Sequence, residues 1–243
     1  MLPPPLLCLP GGLRTFALME DAIAALRKRR EVRLYSIPPD GDIDAVCDGI
    51  VASLDSSGTE RIDLLGHSLG GYLAQCLARR HRDRVRYMVL SHSYVLTERD
   101  IGRLKKGSRL GQLMPLRLFY WALRTKGRLA LRPVRRHRAA DYQRIRAVMD
   151  VIASEMTVAK VRHNNRLMIQ AFTRYLSHPA PVDVPRTLII ESVDDPLFDE
   201  AARKRLRTAF PAATIERFQG TGHVTPTARP DEYARLVNAF LSE

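Results

Sequence analysis

Cysteine is scarce in this sequence, and none of it falls in a C-x-x-C pair. The three are Cys8, Cys47 and Cys76. An odd, scattered set argues against a disulfide framework or a cysteine zinc site and points to a reducing compartment, with the cytoplasm as the expected location. Long apolar runs are missing too. No stretch approaches the roughly 20 residues that span a bilayer, so no transmembrane helix is expected. The opening MLPPPLLCLPGG has no basic n-region and no apolar stretch long enough for a signal peptide. Neither G-x-G-x-x-G nor G-x-x-x-x-G-K-[ST] occurs, so a nucleotide cofactor is not expected. Acidic residues are sparse in one place only. Residues 96–184 hold 19 basic and 6 acidic side chains, while the remainder holds 20 of each, so the whole net charge of +13 sits in one central segment.

What is present is ordinary globular material: 243 residues, 45% hydrophobic and 27% charged. That suits one compact domain, or one domain carrying a large insertion. Short apolar runs predict strands at 6–10, 32–37, 62–65, 85–90, 187–190 and 214–218. Helical spacing predicts helices over 13–29, 43–54, 69–81, 199–209 and 231–241. Strands and helices alternate, and the strand cores are continuous apolar runs, the pattern of a mostly parallel sheet covered on both faces. The segment 96–184 shows no strand pattern. It predicts an amphipathic helix around Leu113–Leu123 and two more over 140–176. The expected organisation is therefore a core of 1–95 and 185–243 interrupted by a basic helical segment.

The most informative stretch is IDLLGHSLGGYLAQ, Ile62–Gln75. Gly66-His67-Ser68-Leu69-Gly70 fits G-x-S-x-G between a predicted strand and a predicted helix, the context this motif requires. A turn that tight needs small residues flanking the serine. It lifts the Ser68 hydroxyl above the sheet and aims the Leu69 N–H, at a helix N-terminus, toward a developing oxyanion. A serine nucleophile needs a base. His223, in Gly-Thr-Gly-His between the last strand and the last helix, is the candidate. His67 is expected to point elsewhere, His92 follows a strand, and His81, His137, His163 and His178 sit in basic or loop surroundings. The base needs a carboxylate, and Asp194 and Asp195 both lie in the loop after the fifth strand. Either gives the chain order Ser…Asp…His. A second oxyanion donor is expected from Pro10-Gly11-Gly12, with the Gly12 N–H first and Leu13 next.

These pieces together resemble the α/β-hydrolase superfamily over residues 6–95 and 185–243. The grounds are GHSLGG, SVDDPLF where relatives often read G-x-D-D-P, and GTGH followed by Pro230 and an apolar closing helix. The resemblance implies the α/β-hydrolase fold, a mostly parallel sheet of about six strands flanked by helices with a helical cap insertion at 96–184. It implies Ser68, Asp195 and His223 as catalytic residues, with Asp195 preferred over Asp194, and Leu69 and Gly12 as the oxyanion hole. It implies cleavage of a carboxylic ester, thioester or related acyl bond, with no metal and no cofactor. A closer resemblance, to maspardin-like members, rests on LCLPGG, AVCDGI, the elbow followed by YLAQ, and the Leu-Met-Pro at 113–115. That group tends toward protein binding, so a non-catalytic binding module is the alternative. Three departures stand out. Pro10-Gly11 replaces the common His-Gly, Ser192 replaces a usual Gly, and the sequence starts at what is normally the third strand.

A small-molecule acyl substrate is the expected ligand. Phe119, Tyr120, Trp121, Met114, Met149 and Met156 would suit an apolar acyl or aryl group, or else form the inserted segment's own core. The basic segment suits an acidic protein partner, such as an acyl carrier, or an anionic membrane surface through residues 103–138. Nucleic acid is disfavoured, because the arginines come without an aromatic platform or a recognised binding fold.

Overall fold

The computed structural model describes residues 3–177 and 184–242; His178 lies outside them. Six strands form one parallel sheet: β1 (Leu6–Leu9), β2 (Val32–Leu34), β3 (Ile62–His67), β4 (Val85–Ser91), β5 (Arg186–Ser192) and β6 (Thr214–Phe218). Their spatial order is β2-β1-β3-β4-β5-β6. The chain steps from β1 outward to β2, then crosses back to place β3 on the other side of β1. The direction of winding reverses there, and a crevice opens at the carboxyl ends of β1 and β3.

Helices cover both faces. Alternate strand residues bury in opposite directions, which explains the continuous apolar runs. Leu7, Leu9, Leu64, Met88, Leu90 and Ile189 pack against α2 (Ile43–Ser56), α3 (Leu69–Arg80) and α9 (Glu200–Ala209). Leu6, Cys8, Leu65, Val89, Leu188 and Ile190 pack against α1 (Glu20–Arg27) and α11 (Pro230–Leu241). All three cysteines are buried free thiols; burial pushes Cys8 and Cys47 up to about 12, so they are inert at neutral pH.

Between β4 and β5 the chain forms α4 (Glu98–Leu113), α5 (Leu116–Ala130), α6 (Arg132–His137), α7 (Ala139–Glu155) and α8 (Val158–Ala171), the last continued by a π-helical turn at Phe172–Leu176. Five helices thus replace the three expected. In α4 only Ile101 is buried among the residues whose side chains are described, so it shows no apolar stripe to read. Its start is fixed by a capping box, in which the Thr97 hydroxyl accepts from the Asp100 N–H and the Asp100 carboxylate accepts from the Thr97 N–H. Two other expectations shorten. The helix expected over 13–29 becomes a turn, a short 3-10 helix at Ala17–Met19 and then α1. The strand expected over 32–37 ends at Leu34. A further short helix, α10 (Thr225–Ala228), follows the His223 loop.

Candidate active site

The crevice holds a cavity of about 370 Å³, lined in part by Gly12, Leu69, Ser68 and His223. Each reaches it from the carboxyl end of a strand. Ser68 links β3 to α3 with φ 51° and ψ −111°, a strained backbone for a residue with a Cβ. The packing around it explains how the turn is held. A Cβ on Gly66 would lie 2.3 Å from the Gly70 carbonyl oxygen, and one on Gly70 would lie 2.3 Å from that of Leu9. The strand, the helix and β1 touch backbone to backbone, and the Ser68 N–H donates to Ser91 O across to β4 at 2.9 Å. Leu69 opens α3, where the first N–H groups have no intrahelical acceptor.

Of the two aspartates, Asp195 meets the histidine: its Oδ2 lies 2.7 Å from His223 Nδ1, and its Oδ1 accepts from the Leu197 N–H at 2.9 Å. Burial works to raise the Asp195 carboxyl, but the adjoining imidazole and the Leu197 N–H outweigh it and hold the group below the usual carboxylate range. Asp194 does something else. Its carboxylate accepts from the N–H groups of Gly220 and Gly222 and from the Ser192 hydroxyl at 2.6 Å. Ser192, which stands where Gly is usual, thereby orients Asp194, and Asp194 ties down the loop that carries His223.

The expectation that His67 points elsewhere is wrong. Its ring centroid lies 5.3 Å from that of His223, and it lines the cavity. His92, at the end of β4, completes a triangle, 5.4 Å from His223 and 5.6 Å from His67. The strand ends at His67 and Ser91 are paired in register, which brings His67 and His92 to the same rim. Burial drives His67 well below its usual value and His92 down to about 3, with the neighbouring imidazoles adding to both. Both are neutral at neutral pH, and His223 is the member of the cluster that faces a carboxylate.

The glycine loop after β1 is braced by residues that the sequence did not single out. Gly11 O accepts from the Arg14 N–H at 2.9 Å. In a trans peptide the N–H lies opposite the carbonyl, so the Gly12 N–H is turned away from Arg14. Gly12 O accepts from Asn164 Nδ2 at 2.6 Å. Arg14 adopts φ 57°. Its guanidinium holds that shape by donating to Asn164 Oδ1 at 2.8 Å, Pro38 O at 3.1 Å and His163 Nδ1 at 2.5 Å. His163 donates from Nε2 to Gly41 O. It is therefore neutral and part of a lock between α8 and the glycine loop, not a surface histidine. Among the described residues, the non-glycines with positive φ are Arg14, Ser68 and His92. They follow β1, β3 and β4, so the backbone strain gathers around one crevice.

The helices between β4 and β5 supply much of the cavity wall. Met149 and Met156 line it, as does Leu123. Phe119 packs internally, and Trp121 is 64% exposed, so neither lines the cavity. Of the six apolar residues singled out there, Met149 and Met156 form wall, Phe119 is buried, Trp121 is exposed, and Met114 and Tyr120 are half-buried away from the cavity.

Comparison with known proteins agrees with this fold. The chain matches the alpha/beta hydrolase family over residues 6–236. Pimeloyl-[acyl-carrier protein] methyl ester esterases from two strains of Neisseria meningitidis serogroup B are 44% identical over 59 residues, which is 24% of this chain and 21% of theirs. The match thus spans about a fifth of those curated relatives. An enol-lactonase from Burkholderia xenovorans LB400 superposes with a TM-score of 0.75 at 18% identity, over 100% of this chain and 92% of that one. A hydrolase from Pseudomonas aeruginosa PA01 gives 0.77 at 18% identity, over 99% and 91%. A thermophilic esterase from Thermogutta terrifontis gives 0.75 at 17%, over 99% and 90%. At these identities the superpositions speak for the fold.

Proposed function

The chain belongs to the alpha/beta hydrolase family, and from that premise we propose that it is a serine hydrolase cleaving carboxylic esters or related acyl bonds. The observation that carries this reading is the 2.7 Å contact of Asp195 with His223 Nδ1, on the same cavity as a strained Ser68. Ser68 Oγ attacks the acyl carbonyl and His223 takes its proton. Asp195 fixes the imidazole tautomer and stabilises the imidazolium. The N–H groups of Leu69 and Gly12 receive the oxyanion, a donor of this type being worth about 3 kcal/mol. His223 then protonates the leaving alcohol. A water, deprotonated by the same base, releases the acid and regenerates the serine. Each step uses side chains, backbone N–H groups and water.

The helices α4–α8 act as a cap that walls the acyl pocket with Met149, Met156 and Leu123. An ester or thioester held on an acyl carrier is a second reading, supported by the name of the Neisseria relatives and the basic character of the cap. The test is fluorophosphonate labelling of the wild type beside Ser68→Ala, followed by a panel of free esters, lactones, thioesters and a carrier-bound ester. Labelling and turnover lost only in the variant support the hydrolase, and the panel ranks the substrates. Folded wild type that neither labels nor turns over any ester sinks the reading and leaves the maspardin-like binding module.

A further inference from the structure

The corner where α4 meets α5 is built unlike the rest of the surface. Nine large apolar side chains stand exposed among the described residues, and six of them fall between positions 110 and 129. Leu113 is 85% exposed at the end of α4, and Leu116 is 63% exposed at the start of α5. Leu110 and Trp121 flank them at 65% and 64%. Clustered exposure of this kind marks an interaction surface. Along the sequence the charge there is of one sign: from Ile101 to Ala140 there are twelve Lys and Arg and not one Asp or Glu. Arg117, Arg124 and Arg128 line a shallow groove on α5 together with Trp121 and Tyr120.

We propose that this corner is a docking surface for anionic lipid bilayers. Leucines and a tryptophan projecting from a helical corner suit the boundary between headgroups and acyl chains, while the surrounding cations meet lipid phosphates. An acidic partner without an apolar groove would match the charge but not the projecting leucines, and a nucleic acid held through its phosphates would leave those leucines in water. The corner lies apart from the reacting groups. The same two helices reach the cavity through Leu104 and Leu123, whereas Leu110, Leu113, Leu116 and Trp121 do not line it. One helix pair thus carries both a cavity wall and a membrane-facing edge, a fitting arrangement for substrates that partition into lipid. The docking itself does not depend on the activity.

The molecule carries its own reporter, since Trp121 is its one tryptophan. The full chain is titrated with vesicles of phosphatidylcholine alone and of phosphatidylcholine mixed with phosphatidylglycerol. The expected result is a blue shift of Trp121 emission, and quenching by brominated acyl chains, with the anionic vesicles only, weakening as salt rises. Leu113→Glu combined with Leu116→Glu should lower vesicle affinity at least tenfold while leaving the circular dichroism spectrum and short-ester turnover unchanged. The proposal is overturned by unchanged emission with anionic vesicles. It is overturned equally by binding that survives the double variant, or by a blue shift that grows with protein concentration in the absence of lipid, which would make the occupant a second copy of the chain.

Discussion

At the scale of single residues, the two adjacent aspartates separate two roles that look alike in the sequence. Asp195→Asn removes the carboxylate that orients His223 and should lower kcat by about 10⁴-fold with little loss of fold. Asp194→Asn loosens the Gly220–Gly222 anchor, and its main effect should be on stability, with a modest effect on kcat. Steady-state kinetics beside urea unfolding separates the pair; the reverse pattern would exchange their roles. Asn164 makes a finer case, because its amide both donates to Gly12 O and accepts from Arg14. Asn164→Asp keeps an acceptor for Arg14 but sets a carboxylate against the Gly12 carbonyl. A fall in kcat of about tenfold with KM moved less is expected, a fraction of the worth of an oxyanion donor. Wild-type kcat in this variant would show that the contact with Gly12 does not position the loop. Ser68 and His223 could be singled out in the sequence because each sits in a local motif, and both line the cavity. His67, His92, Arg14 and Asn164 could not, because what brings them together is strand register and packing across long sequence separations.

At the scale of elements, the elbow depends on three backbones lying closer than side chains permit. Gly70→Ala would drive a methyl group to 2.3 Å from the Leu9 carbonyl oxygen, which no rotamer change relieves. The expected outcome is a loss of at least 3 kcal/mol, among the severe single-site effects, measured as a shift in the urea midpoint. Stability within 1 kcal/mol of wild type would mean that β1 and α3 can part without cost. Elements that bury one continuous face were readable. Strands β1, β3, β4 and β5 bury apolar runs and the helices α2, α3, α9 and α11 bury apolar faces, whereas the edge strands β2 and β6 bury only Val32 and Phe218. α4 and α10 were not readable. α4 buries little beyond Ile101, and α10 is four residues long with Pro226 inside it. The turn at Gly11–Arg14 was hidden inside an apolar pattern that looked helical, since Leu13 and Phe16 mimic a stripe while serving a loop.

At the scale of the whole molecule, the arrangement that assembles the crevice also sets its response to acid. His92 is 2% exposed with its ring held neutral, its value driven down to about 3 by burial and by His223. In the unfolded chain it titrates near 6.5. The unfolded state therefore binds the extra proton first, and stability rises with pH across this interval. Read downward, the contribution is complete above about pH 6.5 and is lost progressively as pH falls toward 3. At pH 5 the loss from His92 alone is about 2 kcal/mol. His67 and His163 are also held below their usual values, and both act in the same direction. Asp195 adds to the loss only below about pH 4, where its depressed carboxyl begins to protonate in the unfolded chain first. A net charge of +13 rises further in acid, so self-repulsion has the same sign. Urea midpoints should therefore drop steeply between pH 7.5 and pH 5, and His92→Gln should flatten part of that slope even if it lowers stability at pH 7.5. A flat profile in the wild type over this interval would mean that the buried histidines take up protons in the folded state, and that the crevice is wetter than its packing indicates.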